Sequence, residues 1–306
     1  MLGVPDLSTL MKDTMRSSIR QLIPLATLLT AVAVLATFSA SNASTAIAPA
    51  TAKPTPANDG SQAAHVPAGF RNAVFLSHVN DPATTPGFPG DPAFTLRTAF
   101  TVPEDGYYLQ YVKEGEHTGS HWGAPCHFHQ GELCADQLDP SDLIRPAVVI
   151  DIRAKVRRNV DYQLTVADLN KWQARHGRMP KGAAVLAWTG CDRWWSAKQT
   201  GRNYYNCGTG QAGLHQPGFS LAAVRWLINH HILGRQGALG IDTFGPDPGT
   251  DEEFRESSLV LHRHRLTLEN LTGLEQLPPG GAWVVVGGPR NRNGSGSPAT
   301  IFGLVP

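Results

Sequence analysis

The sequence predicts one α/β domain built on a mixed β-sheet, and three observations carry that reading. Two amphipathic helical segments alternate with short apolar runs, as βα units do. Strand-like segments flank these units on both sides. The 31 glycines and 23 prolines among 306 residues are too many for a helical bundle. A hydrophobic content of 41% suffices for a full core. The formal net charge of +1, without a basic run interleaved with aromatics, excludes a general nucleic-acid binder.

Taken in order, Phe94 to Val102 and Tyr107 to Val112 are rich in β-branched and aromatic residues. Glu104-Asp105-Gly106 between them signals a turn, so they read as a hairpin. Pro146 to Ile152 is a continuous apolar run, the pattern of a buried strand. Thr165 opens a helix with Asp168 in a capping-box position, and Gly177 ends it. Ala183 to Thr189 is a second buried strand. Ser220 caps a second helix with Ala223, Val224, Leu227 and Ile228 at helical spacing. Ala238 to Thr243, Arg265 to Leu271, Ala282 to Gly287 and Ala299 to Val305 complete the strands, and there is no internal repeat.

The amino terminus differs in kind. Lys12, Arg16 and Arg20 precede an uncharged run from Leu22 to Ala40 and a small-x-small site at Ser41-Asn42-Ala43. This is the layout of a secretory signal peptide over 1–43, with an uncleaved anchor as the competing reading. Residues 44–65, rich in Ala, Thr, Pro and Ser, bury too little to order themselves and read as a disordered linker. The folded domain is then 66–306. Outside the cytosol four cysteines favour disulfides. Cys191 and Cys207 bracket a polar, aromatic loop and pair naturally; Cys126 and Cys134 form the second pair, with Cys126 as a metal ligand or nucleophile the alternative.

The densest chemistry lies between His117 and His129, where four of the twelve histidines fall. Gly119, Gly123 and Pro125 interrupt regular structure there and predict a shaped loop. His117 and His121, four apart, suit a divalent metal, and His127 beyond the Pro125 kink suits a proton shuttle. Glu269, a charge in an apolar strand, must face water or meet a cation. Asp242 and Asp247 carry the same ambiguity, and His262 and His264 alternate along a strand.

His117, Gly119, His121, Pro125 and His127 match a His-x-Gly-Thr-His-x-Asp-x-Pro-x-His pattern. With Gly240 to Thr243, Glu269-Asn270-Leu271, the Leu277-Pro278-Pro279 turn and Gly294 to Ala299, the chain resembles the cyclase-like metal hydrolases. That group includes bacterial kynurenine formamidase and isatin hydrolase. The resemblance implies a cyclase-like, swivelling β/β/α fold. It implies zinc or manganese held by His117, His121 and Glu269, with His127 acting in catalysis. Two positions depart from the pattern: the metal-binding aspartate is Gly123, and the late histidine ligand falls on Ser257. His129, His262 and His264 are the candidate substitute ligands.

The implied activity is hydrolysis of a small cyclic amide, an N-formyl amide or a related carbonyl compound, with Trp122 and Phe128 as substrate walls. The alternative is a metal-free or catalytically degenerate small-molecule binder on the same fold. The expected partner is a small-molecule substrate, with no nucleic acid and no membrane after signal cleavage, and by the family's habit a homo-oligomer.

Overall fold

A computed structural model describes residues 68–196 and 201–306. The signal peptide or anchor, and the linker up to residue 65, lie outside the described residues. The strands are β1 (Asn72–Phe75), β2 (Thr95–Phe100), β3 (Leu109–Lys113), β4 (His121–Gly123), β5 (Ile144–Asp151), β6 (Gln163–Leu164) and β7 (Ala184–Trp188). They continue with β8 (Gly218–Phe219), β9 (Gln236–Ile241), β10 (His264–Glu269), β11 (Gly280–Val286), β12 (Gly296–Pro298) and β13 (Ile301–Val305). The helices are α1 (Val102–Asp105), α2 (Arg153–Val156), α3 (Val166–His176), α4 (Leu221–Asn229) and α5 (Arg255–Val260).

Nine strands form one mixed sheet in the order β1, β13, β11, β5, β7, β9, β10, β4, β12. β5, β7, β9 and β10 run parallel, and the strands beyond them on either side pair antiparallel. The central strands read as continuous apolar runs because both faces are covered. Val148 and Ile150 join one core with Val185, Leu239 and Ile241, while Ala147 and Val149 join the other with Leu186, Leu266 and Leu268. α3 and α4 cover the first face through Leu169, Trp172, Ala223, Val224 and Leu227.

α3 and α4 start where their caps stand. Asp168 N donates to Thr165 Oγ1 at 3.3 Å and Thr165 N donates back to Asp168 Oδ2 at 3.0 Å, completing the capping box. Ser220 Oγ accepts from Ala223 N at 3.2 Å.

The hairpin is present as β2 and β3, with Gly106 in the left-handed region (φ 80°) closing α1 between them. Both cysteine pairs are bonded, Cys126 to Cys134 and Cys191 to Cys207, so Cys126 is neither a ligand nor a nucleophile.

The histidine stretch is more ordered than a loop. His121, Trp122 and Gly123 form β4, inserted between β10 and β12, and Pro125–His127 make a turn of 3₁₀ helix. A three-residue strand carries too few side chains to show alternation, and its pairing partners lie more than a hundred residues away.

Candidate active site

The site lies beyond the carboxyl ends of β9 and β10, the region where open α/β sheets bind ligands. Register delivers its two central side chains. Glu269, the last residue of β10, stands opposite His121, the first of β4. His121 Nε2 lies 3.2 Å from Glu269 Oε2, the imidazole buried and the carboxylate 12% exposed. The charged residue in the apolar strand thus meets an imidazole.

Gly119 orients that imidazole. It adopts φ 65°, and a Cβ there would sit 2.2 Å from Asn80 Oδ1, so only glycine fits the turn. Its carbonyl then accepts from His121 Nδ1 at 2.9 Å and from Asn270 Nδ2 at 2.8 Å. With Nδ1 donating to that carbonyl, Nε2 is the ring nitrogen turned to Glu269 and the cavity. His121 Nε2 is buried, and its contact with Glu269 is an ion-pair contact rather than a well-aligned hydrogen bond.

His117 stands edge-on to His121, ring centroids 5.0 Å apart, and stacks on His127 at 3.9 Å. Its Nε2 contacts Ser295 Oγ at 2.9 Å, and Ser295 Oγ donates to Glu116 Oε2 at 2.9 Å. Such a carboxylate-backed chain fixes a ligand histidine's ring and tautomer. Gly296 makes room for it, since a Cβ there would come within 2.7 Å of His117 Cε1.

Burial lowers His117 to about 3, with the charges of His121 and His127 adding to the effect. Burial also lowers His127, against the pull of Glu269. For His121, burial acts downward but the charge of Glu269 prevails and raises it. Glu269 is correspondingly lowered, because His121 outweighs the cost of its burial. His117 and His127 are therefore neutral at pH 7, as a ligand and a base must be. The proton that Glu269 favours on His121, by contrast, would have to leave before Nε2 could serve as a ligand.

The cavity holding these groups measures about 340 Å³, within the usual range for small-molecule sites. Phe88, Phe128, Phe244 and Phe254 wall it. Of the two expected substrate walls, Phe128 lines the cavity and Trp122 does not. Successive residues of β4 point to opposite faces, so Trp122 turns from the cavity into the second core, 1% exposed.

The substitute ligands are likewise elsewhere, since none of the three lines the cavity. His129 Nε2 donates to the Ser258 carbonyl at 2.7 Å, and its ring stacks on His262 at 3.8 Å. His262 Nδ1 meets Glu132 at 3.0 Å, and His264 Nδ1 meets Asp142 at 2.8 Å. Asp242 is structural: its carboxylate accepts from Thr189 N at 2.9 Å and Gly190 N at 2.7 Å.

Both departures from the family pattern have local explanations. A Cβ on Gly123 would lie 2.6 Å from Thr267 Oγ1, so the threonine fills the space an aspartate would need. Ser257, in the late histidine's place, bonds through its hydroxyl to Asp247, whose Oδ1 also accepts from Glu256 N at 2.8 Å and Ser257 N at 2.9 Å. Asp247 lines the cavity.

Asp91 also lines the cavity and was missed, because one aspartate in a Pro/Gly-rich segment carries no spacing signal. Desolvation raises it, against the attraction of His121 and His127.

Beside this wall, Asp247, Asp251 and Glu256 bring carboxylate oxygens within 4.8 Å of one another. Burial, a hydrogen bond to Asp251 and the charge of Asp247 push Glu256 from 4.5 up to about 8. A carboxyl raised in the fold keeps its proton after the unfolded chain has released it. Its contribution to stability is therefore full below pH 4.5 and declines up to about pH 8. We expect Glu256→Gln to flatten the fall in melting temperature between pH 5 and pH 8 and to melt above the parent at the alkaline end. Parallel melting curves for parent and variant would refute this assignment.

Imidazoles and carboxylates gathered past the ends of parallel strands, in an aromatic-walled cavity, make an α/β site suited to acid–base or metal-assisted hydrolysis. The chain belongs to the putative cyclase family, which matches residues 74–248. It is 30% identical over 197 residues to isatin hydrolase of Roseibium aggregatum, covering 63% of this chain and 73% of that one. Among solved structures, isatin hydrolase A of Ralstonia solanacearum superposes with a TM-score of 0.67 at 31% identity, over 77% of this chain and 92% of the other. An isatin hydrolase bound to the product analogue thioisatinate gives 0.67 at 25% identity, over 76% and 92%.

Proposed function

We propose that the chain is an exported, metal-dependent amidohydrolase that opens a small cyclic amide of the isatin type, with N-formyl amides as the neighbouring chemistry. The observation that carries the reading is the meeting of His121 and Glu269, beside His117 and His127, in an aromatic-walled cavity. The similarity to isatin hydrolases supports the substrate class. The amino-terminal export pattern supports secretion.

The donor set fits a divalent cation. His117 and His121 supply imidazoles, Glu269 supplies a carboxylate, and His121 Nε2 with the Glu269 oxygen beside it are the atoms a cation would bridge in place of their ion pair. When bound, zinc or manganese would polarise the substrate carbonyl and acidify water. Neutral His127 takes the proton from the attacking water and returns it to the departing amide nitrogen. The phenylalanines hold a flat ring and exclude bulk water.

His127→Asn should therefore lower kcat by roughly a hundredfold or more while metal content stays at the parental level, since general acid–base catalysis contributes about 10² to 10⁴. Unchanged kcat would remove His127 from the proton path. The absence of side chains at Gly123 favours a second reading, a metal-free binder. Protein purified without chelator that carries no zinc or manganese, yet binds the cyclic amide, would establish it.

A further inference from the structure

A second groove, of about 810 Å³, opens at the amino ends of β9 and β10. Arg265 lies on it and Glu269 lies at the catalytic end of the same strand, four residues or roughly 13 Å away at ~3.3 Å per residue. The groove is therefore separate from the active site.

Its lining is cationic. Arg235, Arg263 and Arg265 face it with His231 and His262, against one carboxylate, Glu132. That carboxylate is already engaged, Oε1 with His262 Nδ1 at 3.0 Å and Oε2 with the Arg263 backbone N–H at 3.1 Å. Among the described residues none of the three arginines has a carboxylate ion-pair partner.

Arg265 is the telling member. It is 6% exposed. Nε donates to the Val260 carbonyl at 2.8 Å and Nη1 to the Gly234 carbonyl at 2.9 Å. These bonds fix the guanidinium plane without neutralising it, and a buried guanidinium with no ion-pair partner, only the more distant Glu132, is costly and does not escape by deprotonating. Arg235 is fixed as well, its Nη2 donating to His264 Nε2 at 2.9 Å while His264 Nδ1 donates to Asp142 at 2.8 Å.

The backbone adds an independent sign. His231 (φ 59°) and Arg263 (φ 64°) both line the groove and both occupy the left-handed region, where a long side chain is disfavoured and glycine is the relaxed choice. Strain is thus accepted at two positions whose side chains line the groove.

We propose that this groove binds a small dianionic oxyanion of the phosphate type, gripped by Arg265, Arg263 and Arg235. Guanidinium forks match the paired oxygens of phosphate, and a dianion supplies the ion-pair partner Arg265 lacks. The phosphate can be free or carried on a small ester, and the chemistry is shared.

The test is isothermal titration of the full chain with inorganic phosphate and, in a second arm, glycerol 3-phosphate, against chloride at matched ionic strength. We expect one site with a Kd of about 1 mM or tighter, weakened about tenfold by Arg263→Gln, an exposed change that leaves the fold and the active site intact. Arg265→Met should abolish it. Tighter binding of the ester than of phosphate would identify an ester-borne group as the ligand. No saturable heat from either probe with the parent protein would overturn the proposal, and so would equal affinity in Arg263→Gln.

Discussion

His121→Ala should purify folded but without its divalent metal, and its hydrolysis of a cyclic amide should fall on the order of a thousandfold or more. The size follows from position. His121 donates from Nδ1 to the Gly119 carbonyl and faces Glu269 from Nε2, so it both completes the donor set and offsets a buried carboxylate. Removing it leaves Glu269 buried without its partner, which raises that carboxyl and weakens it as a ligand. The fold should survive, because β4 keeps its backbone pairing with β10 and β12 whatever side chain stands at 121. Metal content measured by plasma mass spectrometry on protein prepared without chelator is the check. Parental metal content in the variant would remove His121 from the centre.

The largest stability effect is expected from the Cys191–Cys207 disulfide. The bond closes a loop between residues 16 apart, and both cysteines are buried, Cys191 fully. A loop of about 15 residues corresponds to about 3 kcal/mol of lost unfolded-state entropy. A double Cys191→Ser, Cys207→Ser variant should therefore unfold about 3 kcal/mol more easily in urea, with two hydroxyls now buried in an apolar core adding to the loss. The loop it closes carries Tyr204, which packs on Phe244 of the cavity wall at 4.8 Å and donates to Asn270 Oδ1 at 2.9 Å. Substrate affinity should fall with stability. Urea midpoints equal to those of the parent would show that the bond contributes nothing.

Most of the fold was legible because its middle obeys local rules. The apolar runs at 146–152 and 183–189 are β5 and β7, and the caps at Thr165 and Ser220 start α3 and α4 as their spacing requires. β1, β4 and β12 were not legible. Each is three or four residues long and exists through pairing with a strand distant in the chain.

The same division runs through the site. His117, His121 and His127 were visible because they are close in sequence and share a glycine-marked turn. Glu269 was visible as a charge that an apolar strand has to explain. Trp122 was misassigned because adjacency to a histidine says nothing about facing when the local structure is a strand. His129, His262 and His264 had the right chemistry, yet their partners Ser258, Glu132 and Asp142 could not be read from spacing. Asp91 reaches the cavity through tertiary folding alone.

The central claim is a metal centre at His117, His121 and Glu269. Crystals of the protein grown with manganese and measured at its absorption edge test it most directly. An anomalous peak within coordination distance of His121 Nε2 and the Glu269 carboxylate is the predicted result. No peak there, or a peak only beside Asp247, Asp251 and Glu256, would contradict it.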